Sequence, residues 1–248
     1  MSAPRIHVAT SLRSGLELAL PANAARHVQV LRLQPGAALT LFDGQGGEWT
    51  AAVLQMGRRE VTAQVLQPQP RERELRCAVT LALGMPANER MDTLVEKATE
   101  LGAAAIQPLV CERSVLRIAG ERAERKAAHW QAVAAAACEQ SGRNRLPEIV
   151  AARPMRDWLA SQAAVRATSA RLLLSLDVGA PALLAHVQQI RASQITLLSG
   201  PEGGLSAAEQ QAAIEHGFIP VSLGPRVLRA ETAPLAALAC IAALEGLL

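Results

Sequence analysis

Between Ile195 and Pro234 one pattern occurs twice: a short apolar run, a loop rich in glycine and proline, and the start of a helix. Ile195 to Leu198 runs into Gly200-Pro201-Glu202-Gly203-Gly204. Ser206 and Glu209 then stand at the spacing of a capping box, and Gly217 marks the end of that helix. Ile219 to Leu223 runs into Gly224-Pro225, and a further helix starts near Thr232 and Pro234. Buried strands that each leave through such a loop into a helix predict an α/β fold with a parallel sheet, because parallel strands need a crossover. The two strands are expected as neighbours in it. Ligands of such sheets bind beyond the carboxyl ends of the strands, where both loops lie. Glycine there lets backbone amides approach a ligand closely. Neither loop has the lysine and hydroxyl of a P-loop, and no G-x-G-x-x-G is present. Taken alone, each loop reads equally well as a tight turn. Their pairing, one helix apart, points to a site.

The chain has 248 residues, half of them apolar, enough for one large domain or two small ones. No apolar run reaches membrane-spanning length without a break, and MSAPRIHVATSLRSG lacks a signal core, so a cytoplasmic protein is expected. Cys77, Cys111, Cys138 and Cys240 stand far apart without C-x-x-C spacing, which indicates buried thiols and neither zinc nor disulfides. The net charge of +3 resides in residues 1–76, where nine Arg face six Asp or Glu. Such a distribution suits an RNA-facing front module.

Residues 1 to about 66 read as short strands with one helix, Ala22 to Leu31, and suggest a small barrel. The strands are Arg5 to Val8, Leu39 to Phe42, Glu48 to Val53 and Val61 to Leu66. His27 fits packing against the barrel better than catalysis, and Arg32 is the RNA-contact candidate. Gln67 to Glu74, with two prolines and alternating charge, reads as a linker and divides the chain into residues 1–70 and 71–248. Beyond it, Ala78 to Leu83 is a strand. The helix after Asn88 carries Met91, Leu94, Val95, Ala98 and Leu101 on one stripe and stops at Gly102, before a strand from Ala104 to Val110. A long helix, Glu121 to Gln140, leads to Arg143 and Arg145, which either clasp phosphates or satisfy a helix terminus. Arg171 to Leu176 is another strand, and Asp177 to Ile190 a loop and helix. The last helix, Pro234 to Leu248, has one charge, Glu245, so burial on all sides at a symmetric dimer interface is expected.

GPEGGLSAAE followed by LGPRVLRAETA resembles the cofactor-binding end of the RsmE family of SPOUT-class RNA methyltransferases. HVQVLRLQPG, LFDGQGGEW, MPANERMDTLVEKATELG, CERSV and EQSGRNRLPEI are similar to other segments of that family, so the resemblance spans both parts of the chain. It implies a PUA-like RNA-binding domain, a trefoil-knotted methyltransferase domain and a homodimer. It further implies S-adenosylmethionine-dependent methylation of uracil N3 in 16S ribosomal RNA, free or in the small subunit. Cofactor contacts are implied at Leu174, Leu198, Gly200, Pro201, Glu202, Gly203, Leu223, Gly224, Val227 and Leu228, and RNA contacts at Arg32, Arg90, Arg113, Arg143 and Arg145. The family pattern has a lysine near Pro86 to Arg90. This chain reads Pro-Ala-Asn-Glu-Arg, and Arg90 keeps only the charge. For the uracil N3 proton, Glu231 is the candidate base and Arg229 the anion stabiliser, unless the two pair with each other or cap the last helix. Two other readings stay open: an RNA-binding protein that keeps the fold without catalysis, and a phosphate-dependent enzyme using GPEGG as an anion nest.

Overall fold

The computed structural model describes residues 3–58, 60–162, 168–177, 179–189 and 192–246. In chain order the elements are β1 (Arg5–His7), β2 (Glu17–Ala19), α1 (Ala22–Val30), β3 (Ala38–Phe42), β4 (Glu48–Met56), β5 (Val61–Gln69), β6 (Ala78–Gly84), α2 (Asn88–Glu100), β7 (Ala105–Val110) and α3 (Gly120–Ser141). They continue with β8 (Glu148–Ile149), β9 (Arg153–Pro154), α4 (Met155–Ala160), β10 (Ser169–Leu174), α5 (Leu183–Gln189), β11 (Gln194–Ser199), α6 (Ala207–Glu215), β12 (Ile219–Val221) and α7 (Thr232–Leu244). Ile190, Leu247 and Leu248, expected as helix ends, lie outside the described residues. The chain divides into two compact units, Met1–Glu74 with Ala135–Leu146, and Leu75–Ala134 with Pro147–Leu248.

The first unit holds a five-stranded sheet in the order β1-β3-β4-β5-β2, parallel between β1 and β3 and antiparallel elsewhere. Two register shifts between β4 and β5 bend those long strands, as bulges do at the corners of small barrels. Ile6, Val28, Leu39, Leu41, Val53, Val61 and Val65 form its core with almost no exposure. The stretch read as a linker makes contacts within this unit. β5 runs on to Gln69, and the alternating charges that follow find partners within the unit. Glu72 and Glu74 take Arg145 and Arg143, while Arg71 and Arg73 reach Glu48. A charge run that looks solvated in one dimension is satisfied by residues distant in sequence.

The second unit is a parallel sheet in the order β12-β10-β11-β6-β7-β8, with β9 also on β7. On α2, Met91, Leu94, Val95 and Ala98 are fully buried, Leu101 is half-buried, and Gly102 ends the helix at φ +94°. Ser206 and Glu209 form the reciprocal capping box of α6. One expectation is corrected. β11 and β12 are not neighbours, because β10 lies between them and pairs in parallel with both. A crossover pattern fixes direction and hand but not which strand a later one joins. The segment of β8, β9 and α4 carried no sequence expectation; its Met155, Trp158 and Leu159 are buried against Leu173, Leu198 and Phe218.

α7 is covered mainly on one side in the single chain. Pro234, Ala237, Leu238, Ile241 and Ala242 are buried, whereas Leu235, Ala236, Ala239 and Cys240 are half-buried and Leu244 is 40% exposed in the single chain. Cys77, Cys111 and Cys138 are buried, and burial is the main cause that raises their thiols to about 11, 12 and 11. Among the described residues no cluster of metal-ligating side chains is gathered, and no helix is long and apolar enough to cross a membrane.

Candidate active site

β10, β11 and β12 run in parallel, so their carboxyl ends open on one side of the sheet. The loops leaving them, Ser175 to Asp177, Gly200 to Leu205, and Leu223 to Ala230, line one cavity of about 820 Å³. Arg90 from the first turn of α2, Arg113 from the loop after β7, Gln210 of α6 and Ala233 of α7 complete its wall.

The GPEGG loop owes its path to close backbone approaches. A Cβ on Gly200 would stand 2.7 Å from the Leu205 nitrogen, and one on Gly84 would stand 2.4 Å from Pro201 Cδ. Gly204, at φ +68°, closes a turn by donating its N–H to the Pro201 carbonyl at 2.8 Å. Side chains then pin the turn from outside. Glu202 Oε1 accepts the Ala87 N–H at 3.0 Å, and Arg113 donates to the Gly203 carbonyl at 3.0 Å. In the second loop Gly224, which lines the cavity, has φ +106° and open space where a Cβ would be. Its N–H is oriented by Ser222 Oγ at 3.1 Å.

Polar and apolar groups in this wall are set for a ligand of mixed character. Ser199 lines the cavity, and its hydroxyl is buried without a partner among the described residues. Leu176 and Val227 are 70% and 77% exposed at its edge, beside half-buried Leu174, Leu223 and Leu228. Arg229 lines it without a side-chain hydrogen bond or ion pair among the described residues. Arg90 stands between two carboxylates, 3.5 Å from Glu202 Oε1 and 3.8 Å from Glu231 Oε1. Glu231 Oε2 is buried and has no partner among the described residues. Glu231 occupies the N-cap position of α7 without a side-chain cap hydrogen bond, and its ion-pair neighbour is Arg90.

A family model described as an RNA methyltransferase domain matches residues 73–242, and one described as an RNA methyltransferase PUA domain matches residues 20–66. The ribosomal RNA small subunit methyltransferase E of Synechocystis is 39% identical over 217 residues, which cover 87% of this chain and 69% of that protein. The chain belongs to the ribosomal RNA small subunit methyltransferase E family. The Bacillus subtilis member is 31% identical over 86% of this chain and 84% of its own length. Among solved structures, the methyltransferase E of Neisseria gonorrhoeae bound to S-adenosylmethionine has a TM-score of 0.87 at 35% identity, covering 98% of both chains. A methyltransferase of Legionella pneumophila in complex with the same cofactor has a TM-score of 0.88 at 32% identity, again over 98% of each.

In this methyltransferase the cavity gathers most residues singled out in the sequence: Leu174, Gly200, Pro201, Glu202, Gly203, Leu223, Gly224, Val227, Leu228, Arg229, Arg90 and Arg113. Leu198 is not among them. It is fully buried behind the wall, packed with Leu173, Leu205 and Phe218. Arg32, Arg143 and Arg145 belong to the first unit. Arg32 is exposed at φ +53°, and Arg145 remains half open beside Glu72 at 2.8 Å. Arg143 is only 3% exposed and is ion-paired with Glu74, so in this conformation it is a structural cation and not a phosphate clasp. Sequence reasoning missed Ser199, Arg226, Gln210 and the β10 loop Ser175 to Asp177. A signal for that loop existed: Ser175 and Asp177 are turn formers, and Ser175 Oγ accepts the Asp177 N–H at 3.0 Å.

Proposed function

We propose that the chain transfers a methyl group from S-adenosylmethionine to N3 of one uridine in 16S ribosomal RNA of the small subunit. The observation that carries this reading is the joint opening of three parallel-strand loops on one cavity that also contains Arg90 and Arg229, with Glu231 outside its lining but held by Arg90 through Oε1 at 3.8 Å. Its volume falls in the ordinary range for small-molecule sites, roughly 300–1,000 Å³. The open space at the Cα of Gly224, the Ser199 hydroxyl without a partner among the described residues, and exposed Leu176 and Val227 fit an adenosine with a charged tail. Backbone groups of Gly200 to Gly204 and Leu223 to Leu228 would hold it, with Leu174 and Leu228 as apolar walls.

When bound, that cofactor supplies a methyl group already activated by its sulfonium. The residues of this chain have a different task, to align the acceptor and handle its proton. Uracil N3 is a poor nucleophile while protonated. Glu231, joined to the cavity through Arg90, is assigned that proton, and Arg229 and Arg90, which line the cavity, stabilise the imide anion that results. RNA contacts come from Arg32, Arg90, Arg113 and Arg145, with Arg143 holding the loop that presents Arg145. Stacking contributes little: both Phe and two of the three Trp are buried.

The same reading divides the chain into a PUA-like RNA-binding domain, residues 1–70, and a SPOUT domain, residues 71–248, whose trefoil knot follows from the family resemblance. It assigns the half-covered face of α7 to a homodimer and the protein to the cytoplasm, where its substrate is made.

The test is a methyl-transfer assay with labelled S-adenosylmethionine and unmodified small subunits or 16S ribosomal RNA, followed by nuclease digestion and mass mapping. A single N3-methyluridine is expected. Label on another atom, or none with either substrate, overturns the reading. In the same assay Glu231→Gln should lose about 10² to 10⁴ in turnover, and an unchanged rate would remove Glu231 as the base.

A further inference from the structure

A second cavity, of about 430 Å³, lies wholly within the first unit, between α1 and the end of α3. Its floor is apolar, made by buried Ile6 and Ala24. Asn23 and His27, one helical turn apart, line one side, and Glu139 and Gln140 line the other. Asn23, His27 and Gln140 are exposed and make no side-chain hydrogen bond among the described residues, so the fold does not account for them. Glu139 is different: its Oε1 accepts the His7 N–H at 2.9 Å, which fixes the carboxylate at the cavity.

The charge in this cavity excludes the simplest RNA contact. Arg5 also lines it, but its two terminal nitrogens are committed to Glu48, to Asn144 Oδ1 at 2.7 Å and to the Arg143 carbonyl at 3.1 Å, and its Nε is buried. A phosphate entering here would meet the Glu139 carboxylate, while the terminal nitrogens of Arg5 are already engaged elsewhere. Burial pushes the Glu139 carboxyl upward, outweighing the His7 hydrogen bond and the nearby charges of His27 and Arg5. A half-buried carboxylate of this kind gains most from a neutral ligand that brings N–H donors to it.

Among the four RNA bases only guanine carries two adjacent donors on its pairing edge, N1–H and N2–H. Uracil N3–H is flanked by carbonyls that repel a carboxylate, and adenine and cytosine set a ring acceptor beside their single amino group. We infer that this cavity is a nucleobase pocket, separate from the loop cavity, which takes one unstacked guanine of the RNA against Ile6 and Ala24 with its pairing edge on Glu139. Asn23 and His27 then face the O6 and N7 acceptors. Single-stranded or extruded bases are read in this way, by their pairing edge in a shaped pocket. The inference rests on the reading of the first unit as RNA-binding and adds to it the base that is read.

Fluorescence anisotropy of the full chain with labelled hexauridylate, and with a hexamer carrying one internal guanosine among uridines, tests this. The guanosine hexamer should bind at least about tenfold more tightly. Glu139→Gln, which keeps a carbonyl for the His7 N–H but turns one acceptor into a donor, should erase that preference. The melting temperature and S-adenosylmethionine affinity of the same sample report whether the variant is folded. If it is not, the exposed Asn23→Ala decides, with an expected several-fold loss for the guanosine hexamer alone. Equal binding of the two hexamers, or a preference that survives both substitutions, overturns the guanine pocket while leaving RNA binding intact. Binding of neither hexamer overturns the pocket together with the RNA-binding reading of the unit.

Discussion

Glu202, in the middle of the GPEGG loop, accepts the backbone N–H of Ala87 at 3.0 Å, so the loop after β11 is tied to the residue that opens α2. The same oxygen lies 3.5 Å from Arg90. The contact therefore sets both the path of the backbone around the cavity and the position of one of its cations. Glu202→Ala should lower stability by about 1 kcal/mol, since the bond is charge-assisted but partly exposed. That corresponds to about 2–4 °C in melting temperature for a chain of this size. The larger effect should be on S-adenosylmethionine affinity, measured by calorimetry, because the loop loses its anchor. An unchanged affinity would make the contact purely structural.

Two glycines in the cavity wall should fail for different reasons. In Gly200→Ala the new methyl meets backbone at 2.7 and 2.9 Å, which cannot yield as a flexible side chain would. A cost of about 1–3 kcal/mol and at least a tenfold loss of cofactor affinity are expected. Gly224→Ala meets nothing within 4 Å but holds φ +106°, so its cost is strain, at least about 1 kcal/mol. Thermal melts with and without cofactor separate the two. Equal tolerance of both would show that neither loop is as tightly held as its geometry indicates.

Arg143 and Arg145 stand two residues apart with opposite fates. Arg143→Ala leaves Glu74 unpaired in a largely buried place and should cost about 3–5 kcal/mol. Arg145→Ala breaks an exposed pair and should cost less than about 1 kcal/mol. It should instead reduce the salt dependence of RNA binding by about one unit of slope. The measurements are melting temperature and RNA affinity across a salt series. A salt slope unaltered in Arg145→Ala would return that residue to a structural role.

Parts of this architecture were legible because they are local. The capping box at Ser206 and Glu209, the buried stripe from Met91 to Ala98 and the stop at Gly102 each depend on residues within a turn or two. The GPEGG and LGP loops could be placed at strand ends for the same reason. What escaped depends on long-range pairing. The insertion of β10 between β11 and β12 leaves no mark in either strand, and with it the β10 loop was lost as a cavity wall. Arg143 reads like Arg145 in one dimension, and only the fold shows Glu74 enclosing it. Glu231 stands at the start of α7, yet its ion-pair neighbour, Arg90, is far away in the chain.

Glu48 predicts how the first unit responds to acid. It is 5% exposed, and burial alone would raise its carboxyl, but the Arg5 hydrogen bond and the charges of Arg5 and Arg73 outweigh this and hold it below its ordinary value of 4.5. A carboxyl lowered on folding stabilises the fold above about pH 4.5, and that contribution is lost as pH falls through its folded value. Glu48→Gln should therefore be less stable than the parent at pH 7, with the two curves converging as the solution is acidified. Melting temperatures from pH 7 to 3 check this, and a constant gap across the range would show that the charge of Glu48 is not what matters.

The most direct test of the central claim is a crystal structure of the chain grown with S-adenosylhomocysteine. The ligand should lie against Gly200 to Gly204, Leu223 to Leu228 and Ser175 to Asp177, with a polar atom on Ser199 Oγ and its thioether facing Arg229. Density for the ligand elsewhere, or none at millimolar concentration, would contradict the assignment of these three loops as the cofactor site.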